Sequence, residues 1–258
     1  MSKTTRREAL TLAAWAAAGR LPLLGASATP AGASPVQGWL AGAAPGEGSA
    51  PARTLRYAVL RWTETDPKTA VTKNAEIGRL ELAMDRQGDQ TRVRVVQTTK
   101  YSQPHNRIEA EILCRRDPLL SLQSWKLTST IEQRADCRYE ASGRVEGHEV
   151  RLSDGLSERS FPVDGPLVCP WTLPFSTSAH AELPERFALL DELLLYKPDQ
   201  RLRREASVSL PYRDGERKMS CWSQRGTGVL PLHYFADDQG RCQLVTQSAL
   251  AWALQEAE

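Results

Sequence analysis

The chain has 258 residues, with 33 Lys and Arg against 31 Asp and Glu, 41% hydrophobic and 25% charged residues. Those proportions belong to an ordinary globular protein and exclude a disordered chain, a multi-span membrane protein and a collagen-like fibre. A formal charge of +2 gives no basic field of the kind a general nucleic-acid binder needs, so no nucleic acid is expected as a partner.

Residues 1–33 read as an address. Arg6-Arg7 follows Thr5, an alanine-rich apolar stretch runs over 9–24 around Arg20, and Ala31-Gly32-Ala33 offers a small-x-small cleavage site. This order resembles a bacterial twin-arginine (Tat) export signal. The resemblance implies the Tat export machinery as a partner and a periplasmic or extracellular location. Arg6 and Arg7 carry the signal, and Ala31 and Ala33 mark its cleavage, with Ala26-Ser27-Ala28 as a second candidate. No run approaches the ~20 apolar residues that span a bilayer, so no membrane span is expected in the mature chain. Removing 1–33 takes away Lys3, Arg6, Arg7, Arg20 and Glu8, leaving 29 of the 33 basic and 30 of the 31 acidic groups. The positive balance therefore belongs to the signal. No cysteine precedes Cys114, so a lipid anchor at the cleavage site is not expected.

Residues 34–53 are rich in Ala, Gly, Pro and Ser and read as a flexible linker, since such residues bury too little surface to offset ordering entropy. Trp39-Leu40 is its one sticky spot and is expected to dock loosely.

From residue 54 the hydrophobic period becomes two, and 54–258 reads as one β-rich domain. Residues 55–62 are apolar on both faces, which predicts a central strand. In 77–85, Leu80, Leu82 and Met84 alternate with Arg79, Glu81 and Asp85; in 91–101, Val93 and Val95 alternate with Arg92 and Arg94. With a turn at 86–90, the two form a hairpin with one wet face. Strands follow at 107–115, 119–131, 137–141, 149–153 and 158–163. Later come 202–212 and 216–224 around Asp214-Gly215, then 230–235 and 241–247 around Asp238-Gln239-Gly240. Between them, Pro184 precedes Phe187, Leu190 and Leu194 at helical spacing, which predicts a short helix over 184–194 covering one sheet face. The expected fold class is mainly β: one large curved antiparallel sheet, a half-barrel or incomplete barrel, with a short covering helix.

Leu55-Arg56-Tyr57-Ala58-Val59, then Ala75-Glu76-Ile77-Gly78-Arg79-Leu80-Glu81-Leu82, the hairpin at Gln87-Gly88-Asp89 and the turn at Asp117-Pro118-Leu119-Leu120-Ser121 carry a resemblance. Together the stretch resembles the periplasmic DUF3108-type proteins of unknown function and, more distantly, the LolA-like sheets of lipoprotein carriers. The resemblance implies an exported curved sheet that holds something apolar or packs against the envelope. It brings no catalytic residue with it.

The search for chemistry yields little. His105, His148, His180 and His233 stand apart, with no HExxH, HxH or HxxxH spacing, so neither a metal nor another cofactor is expected. Ser176-Thr177-Ser178-Ala179-His180 places hydroxyls near an imidazole, but catalytic triads draw on residues distant in sequence, and no GxSxG elbow occurs. Gly226-Thr227-Gly228 reads as a turn. Glu109/Glu111 and Asp191/Glu192 are carboxylate pairs; the first lies on one strand face at ~6–7 Å and reads as solvated. Five cysteines, Cys114, Cys137, Cys169, Cys221 and Cys242, form one disulfide at most. Cys114 and Cys137, like Cys221 and Cys242, fall on strands two apart, ~9–10 Å and out of bonding reach. Trp39, Trp62, Trp125, Trp171, Trp222 and Trp252 are either core or the aromatic walls of a pocket.

Two readings follow. One is an exported non-catalytic envelope protein that binds an apolar or envelope-derived ligand on its curved sheet. The alternative is an extracytoplasmic hydrolase whose site assembles only in the fold. His180 or His233 within reach of a serine and a carboxylate would favour the second.

Overall fold

The computed structural model describes residues 33–34, 36–40, 53–65, 68, 72–100, 105–179, 182–212 and 215–258. Arg6, Arg7 and Ala31 of the export signal, and His180, lie outside the described residues. The alternating pattern yields β1 (Ala33–Ser34), a 3₁₀ turn (Val36–Gly38), β2 (Thr54–Thr65), β3 (Thr72–Gln87), β4 (Gln90–Thr99) and β5 (Asn106–Arg115). Then come β6 (Leu122–Ile131), β7 (Arg134–Glu146), β8 (Glu149–Ser153), β9 (Glu158–Pro162), β10 (Leu167–Val168) and the helix α1 (Leu173–Ala179). The chain continues as β11 (Arg186–Asp191), β12 (Leu195–Tyr212), β13 (Gly215–Gly226), β14 (Leu232–Ala236), β15 (Cys242–Gln247) and β16 (Leu250–Ala257). None of the described helices is long and apolar enough to cross a membrane.

All the strands belong to one sheet, in the order β10-β11-β12-β13-β14-β15-β16-β2-β3-β4-β5-β6-β7-β8-β9, with β1 pairing β3 off this path. Pairing is antiparallel except between β10 and β11. The two meanders, β2 to β9 and β10 to β16, are joined by the antiparallel pair β16 and β2. Laid flat, the path would place its edges ~67 Å apart at ~4.8 Å per strand interval. Residues 163–166, which link edge strand β9 to edge strand β10, can reach only ~18 Å. The sheet therefore curls round until its edges meet, although β9 and β10 are not hydrogen-bonded to each other. Side chains close the seam instead. Phe161 of β9 stacks on Tyr196 of β12 at 5.0 Å, and the Tyr196 hydroxyl donates to the Pro162 carbonyl at 2.6 Å.

The fold is thus mainly β, as expected, but the helix stands elsewhere. The predicted helix over 184–194 is strand β11. Its Ala188 and Leu190 face the main core, and Phe187 and Leu189 a second cluster with Leu202, Trp222 and Tyr234. A four-residue apolar run buried on both faces satisfies a strand as well as the 187/190/194 spacing satisfies a helix, and pairing with β12 decides it. The helix is α1, whose side chains from Leu173 to Thr177 are buried. Leu173 packs in the second cluster and Phe175 in the main core, so α1 plugs the curled sheet. Its hydroxyls are absorbed by backbone: Thr177 Oγ1 donates to the Leu173 carbonyl at 2.8 Å and Thr172 Oγ1 to the Cys169 carbonyl at 3.1 Å.

The hairpin of β3 and β4 turns at Gly88-Asp89 with Gly88 at φ 57°. One face carries Leu80, Leu82, Val93 and Val95 into the main core. β2 lies between β16 and β3 and is apolar on both sides for a reason. Leu55, Tyr57 and Val59 enter the main core, while Ala58 and Leu60 enter a third cluster on the outer face. Within the stretch read as a linker, Leu40 covers that third cluster and is 1% exposed, tighter than a loose contact. The neighbouring Trp39 carbonyl accepts from Gln255 Nε2. Trp125 and Trp222 are core, whereas Trp62 at the end of β2 is 42% exposed.

All five cysteines are free thiols. Burial pushes the thiol pKa up to about 11 at Cys169 and about 12 at Cys242, so they behave as small apolar side chains rather than nucleophiles.

Leu60 is 0% exposed under Leu40 and Phe235. Leu60→Ala is expected to leave a cavity and lower stability by about 2–5 kcal/mol, read from urea melts of the purified protein. A midpoint equal to the unsubstituted protein's would refute the assignment of this face as core.

Candidate functional site

The sequence-predicted residues divide sharply. Ala33 lies on β1 opposite Ala75 of β3. His105 sits 3.3 Å from Glu132 and His148 3.9 Å from Asp164, both in solvent. Ser176 donates to the Thr172 carbonyl and, among the described residues, has no acid or imidazole as a hydrogen-bond partner. Glu109 is held by Arg107 at 2.6 Å on a wet strand face. Gly226-Thr227-Gly228 is a turn in which the buried Gln200 amide donates to the Thr227 carbonyl at 3.0 Å. A Cβ on Gly226 would come within 2.5 Å of that amide, which explains the glycine. Among the described residues, no three His, Cys, Asp or Glu side chains gather into a metal-binding group.

One convergence escapes the sequence. The register of β13 and β14 sets His233 directly opposite Ser223, and Ser223 Oγ donates to Glu205 Oε1 at 2.5 Å. Burial and then Arg225 lower the imidazole pKa, while Glu205 opposes them. Acyl transfer needs the serine bonded to the imidazole and the imidazole to the carboxylate. Here the serine is bonded to the carboxylate itself, so the serine–imidazole–carboxylate order of that triad is not assembled. The cluster lines neither of the two recesses described next.

The larger recess is a trough of about 520 Å³ across β4 to β9. It has polar rows: Glu111 and Lys126 stand opposite one another, as do Ser142 and Ser153. Its arginines are largely answered, with Arg144 at 2.7 Å from Glu146 and Arg151 at 3.1 Å from Glu149. It is a cross-strand charge ladder on a solvated face, laid over apolar side chains that include Ile112, Trp125 and Leu152.

The smaller recess sets two indoles beside two carboxylates. It holds about 90 Å³ at one end of the curled sheet, lined by Val59, Trp171, Leu232 and Trp252 with Asp191 and Glu192. Trp171 is fixed by its Nε1, which donates to Gln97 Oε1 at 3.2 Å. Trp252 leans on Tyr57, ring centroids 6.3 Å apart, and the Tyr57 hydroxyl donates to the Cys242 carbonyl at 2.9 Å. The carboxylates come from the hairpin joining β11 to β12. Glu192 at φ 50° and Leu193 at φ 58° are consecutive left-handed residues, a backbone that normally selects Asn-Gly. Each non-glycine residue there costs about 1–2 kcal/mol. Complete burial of Leu193 in the main core offsets that strain and fixes the turn.

Asp191 Oδ2 accepts from Lys197 Nζ at 2.6 Å, a half-buried pair. Partial desolvation raises the pKa of Glu192, although the residue as a whole is exposed; Asp191 beside it adds to the rise and Lys197 opposes it. Sequence reading singled out Asp191/Glu192 as a pair, but nothing in it joins them to tryptophans 20 and 60 positions away.

No family model matches the chain, and no curated protein does. Among solved structures, it is similar to a β-barrel-like protein of domain of unknown function DUF1849 from Brucella abortus. The two share 10% identity at a TM-score of 0.47, over 80% of this chain and 98% of that one.

Because folding raises the Glu192 pKa, the ionised group is a liability at neutral pH. The penalty shrinks as pH falls through the raised value and is gone below the ordinary 4.5. Glu192→Gln is therefore expected to raise the melting temperature at pH 7 and to leave it unchanged near pH 3.5. Equal melting temperatures at both pH values would place the carboxyl in free solvent.

Proposed function

We propose that this protein is exported by the twin-arginine route. In the envelope it acts as a non-catalytic binding protein, taking a small apolar or envelope-derived group into the recess between Trp171 and Trp252. The recess carries this reading: apolar walls with two indoles and a few converging polar groups are what binding cavities are made of. The curved face itself is occupied. Its side chains, with Trp171 and Phe175, fill it as the main core, so the place for a ligand moves from the sheet's face to its end. The order of residues 1–33 supports export, and the likeness of 55–125 to DUF3108-type proteins supports a periplasmic setting.

Two measurements test this. Arg6→Lys with Arg7→Lys is expected to leave the precursor in the cytoplasm in cell fractionation; normal delivery would refute the export route. Protein taken from its native compartment and extracted with organic solvent is expected to release a small molecule seen by mass spectrometry. Gln247→Trp, which fills the recess from its rim, is expected to come out empty. Identical extracts from both proteins would sink the binding role.

A further inference from the structure

We infer that the curled sheet opens sideways at its seam: β9 parts from β12, turning about Asp164-Gly165, and gives small solutes a way to the interior beside Cys169.

The unequal joints of the sheet are the first ground. Every neighbouring pair along the fifteen-strand path is joined by backbone hydrogen bonds, and β9 and β10 are not. Among the described residues, the bonds and ring contacts across the seam come to the stack of Phe161 on Tyr196 and the Tyr196 hydroxyl on the Pro162 carbonyl. The rest of β9 holds to its own side. Glu158, Arg159 and Ser160 are exposed, and Arg159 turns back to Asp154 at 3.6 Å. A ladder gives up its hydrogen bonds together, whereas the seam gives up one bond and one stack. Local opening takes the route that loses least.

The link between the two edges is the second ground. Val163 N donates to the His148 carbonyl at 2.8 Å and fastens one end of the link beside β8. Ala188 N donates to the Pro166 carbonyl at 2.9 Å and fastens the other end to β11. Val163 and Leu167 are buried, while Asp164 and Gly165 between the two anchors are exposed. Gly165 stands at φ 94°, a backbone that glycine takes up without strain, and nothing lies within 4 Å of where its Cβ would be. Two rigid anchors with a pair of free residues between them make a hinge.

What lies behind the seam is the third ground. Val150, Leu152 and Val163 on one side of it and Leu167 and Cys169 on the other belong to the main core. Cys169 follows β10, which pairs with β11 alone, and is 0% exposed. Cys242 is also 0% exposed, but lies on β15, five places along the path from β10. The chain therefore carries one buried thiol beside the seam and another away from it.

The test labels these native thiols with N-ethylmaleimide and reads each site by peptide mass, every rate being divided by that of the same thiol in the urea-unfolded chain. Cys169 is expected to label faster than Cys242. Low urea is expected to raise the Cys242 rate steeply and to leave the Cys169 rate nearly level, because opening the seam exposes far less surface than unfolding does. Tyr196→Phe removes the hydroxyl bond and keeps the stack. It is expected to speed Cys169 about two- to tenfold, the worth of one hydrogen bond. Equal rates with equal urea slopes would mean that both thiols wait for unfolding, and overturn the opening. A Cys169 rate that Tyr196→Phe leaves unchanged would overturn it as well.

Discussion

Everything in this molecule follows from a short tether between distant edges. Residues 163–166 tie β9 to β10, the two ends of a fifteen-strand path. Hydrogen bonding fixes the width of that path and chain stereochemistry fixes the reach of the tether. Curling is the solution that satisfies both. It creates an inside, and the inside has to be filled. The main core, α1 and the doubly buried β11 do the filling. The recess is what is left at one end, where the hairpins β11–β12 and β15–β16 meet Trp171.

Much of this was legible in the sequence because strands announce themselves by period. Arg79, Glu81 and Asp85 against Leu80, Leu82 and Met84 give a wet face and a dry one, and β3 has both. The two-sided apolarity of 55–62 reads directly as a central position, since β2 must serve one cluster within the sheet and another outside it. The failures are equally physical. Phe187-Ala188-Leu189-Leu190 is too short for periodicity to separate helix from strand. Residues 173–179 are assigned no helix from sequence; their Ser176 and Thr177, with Thr172, return their hydroxyls to backbone carbonyls of the same turn, which lets so polar a segment be buried.

The candidate site was half legible. A carboxylate pair is visible as adjacent letters, and Asp191/Glu192 was visible in that way. The distinction from Glu109/Glu111 was not, because it lies in the surroundings: one pair meets arginine on an open strand face, the other meets Lys197 beside a recess lined by two tryptophans. The Ser223, His233 and Glu205 group depends on register across three strands, and it also shows that proximity alone makes no triad. Donor and acceptor order decides, and here Ser223 is bonded to Glu205 rather than to His233.

The pairing of β16 with β2 has a consequence for how the chain is made. Arg56 bonds to Glu81, which follows it closely, and also to Glu256, 200 positions onward. During synthesis β2 to β9 can assemble as a meander long before its other neighbour exists. Throughout that interval β2 presents an unpaired edge and two greasy faces to whatever else is nascent nearby. Such a strand is a template for aggregation. Contacts this remote in sequence also form slowly.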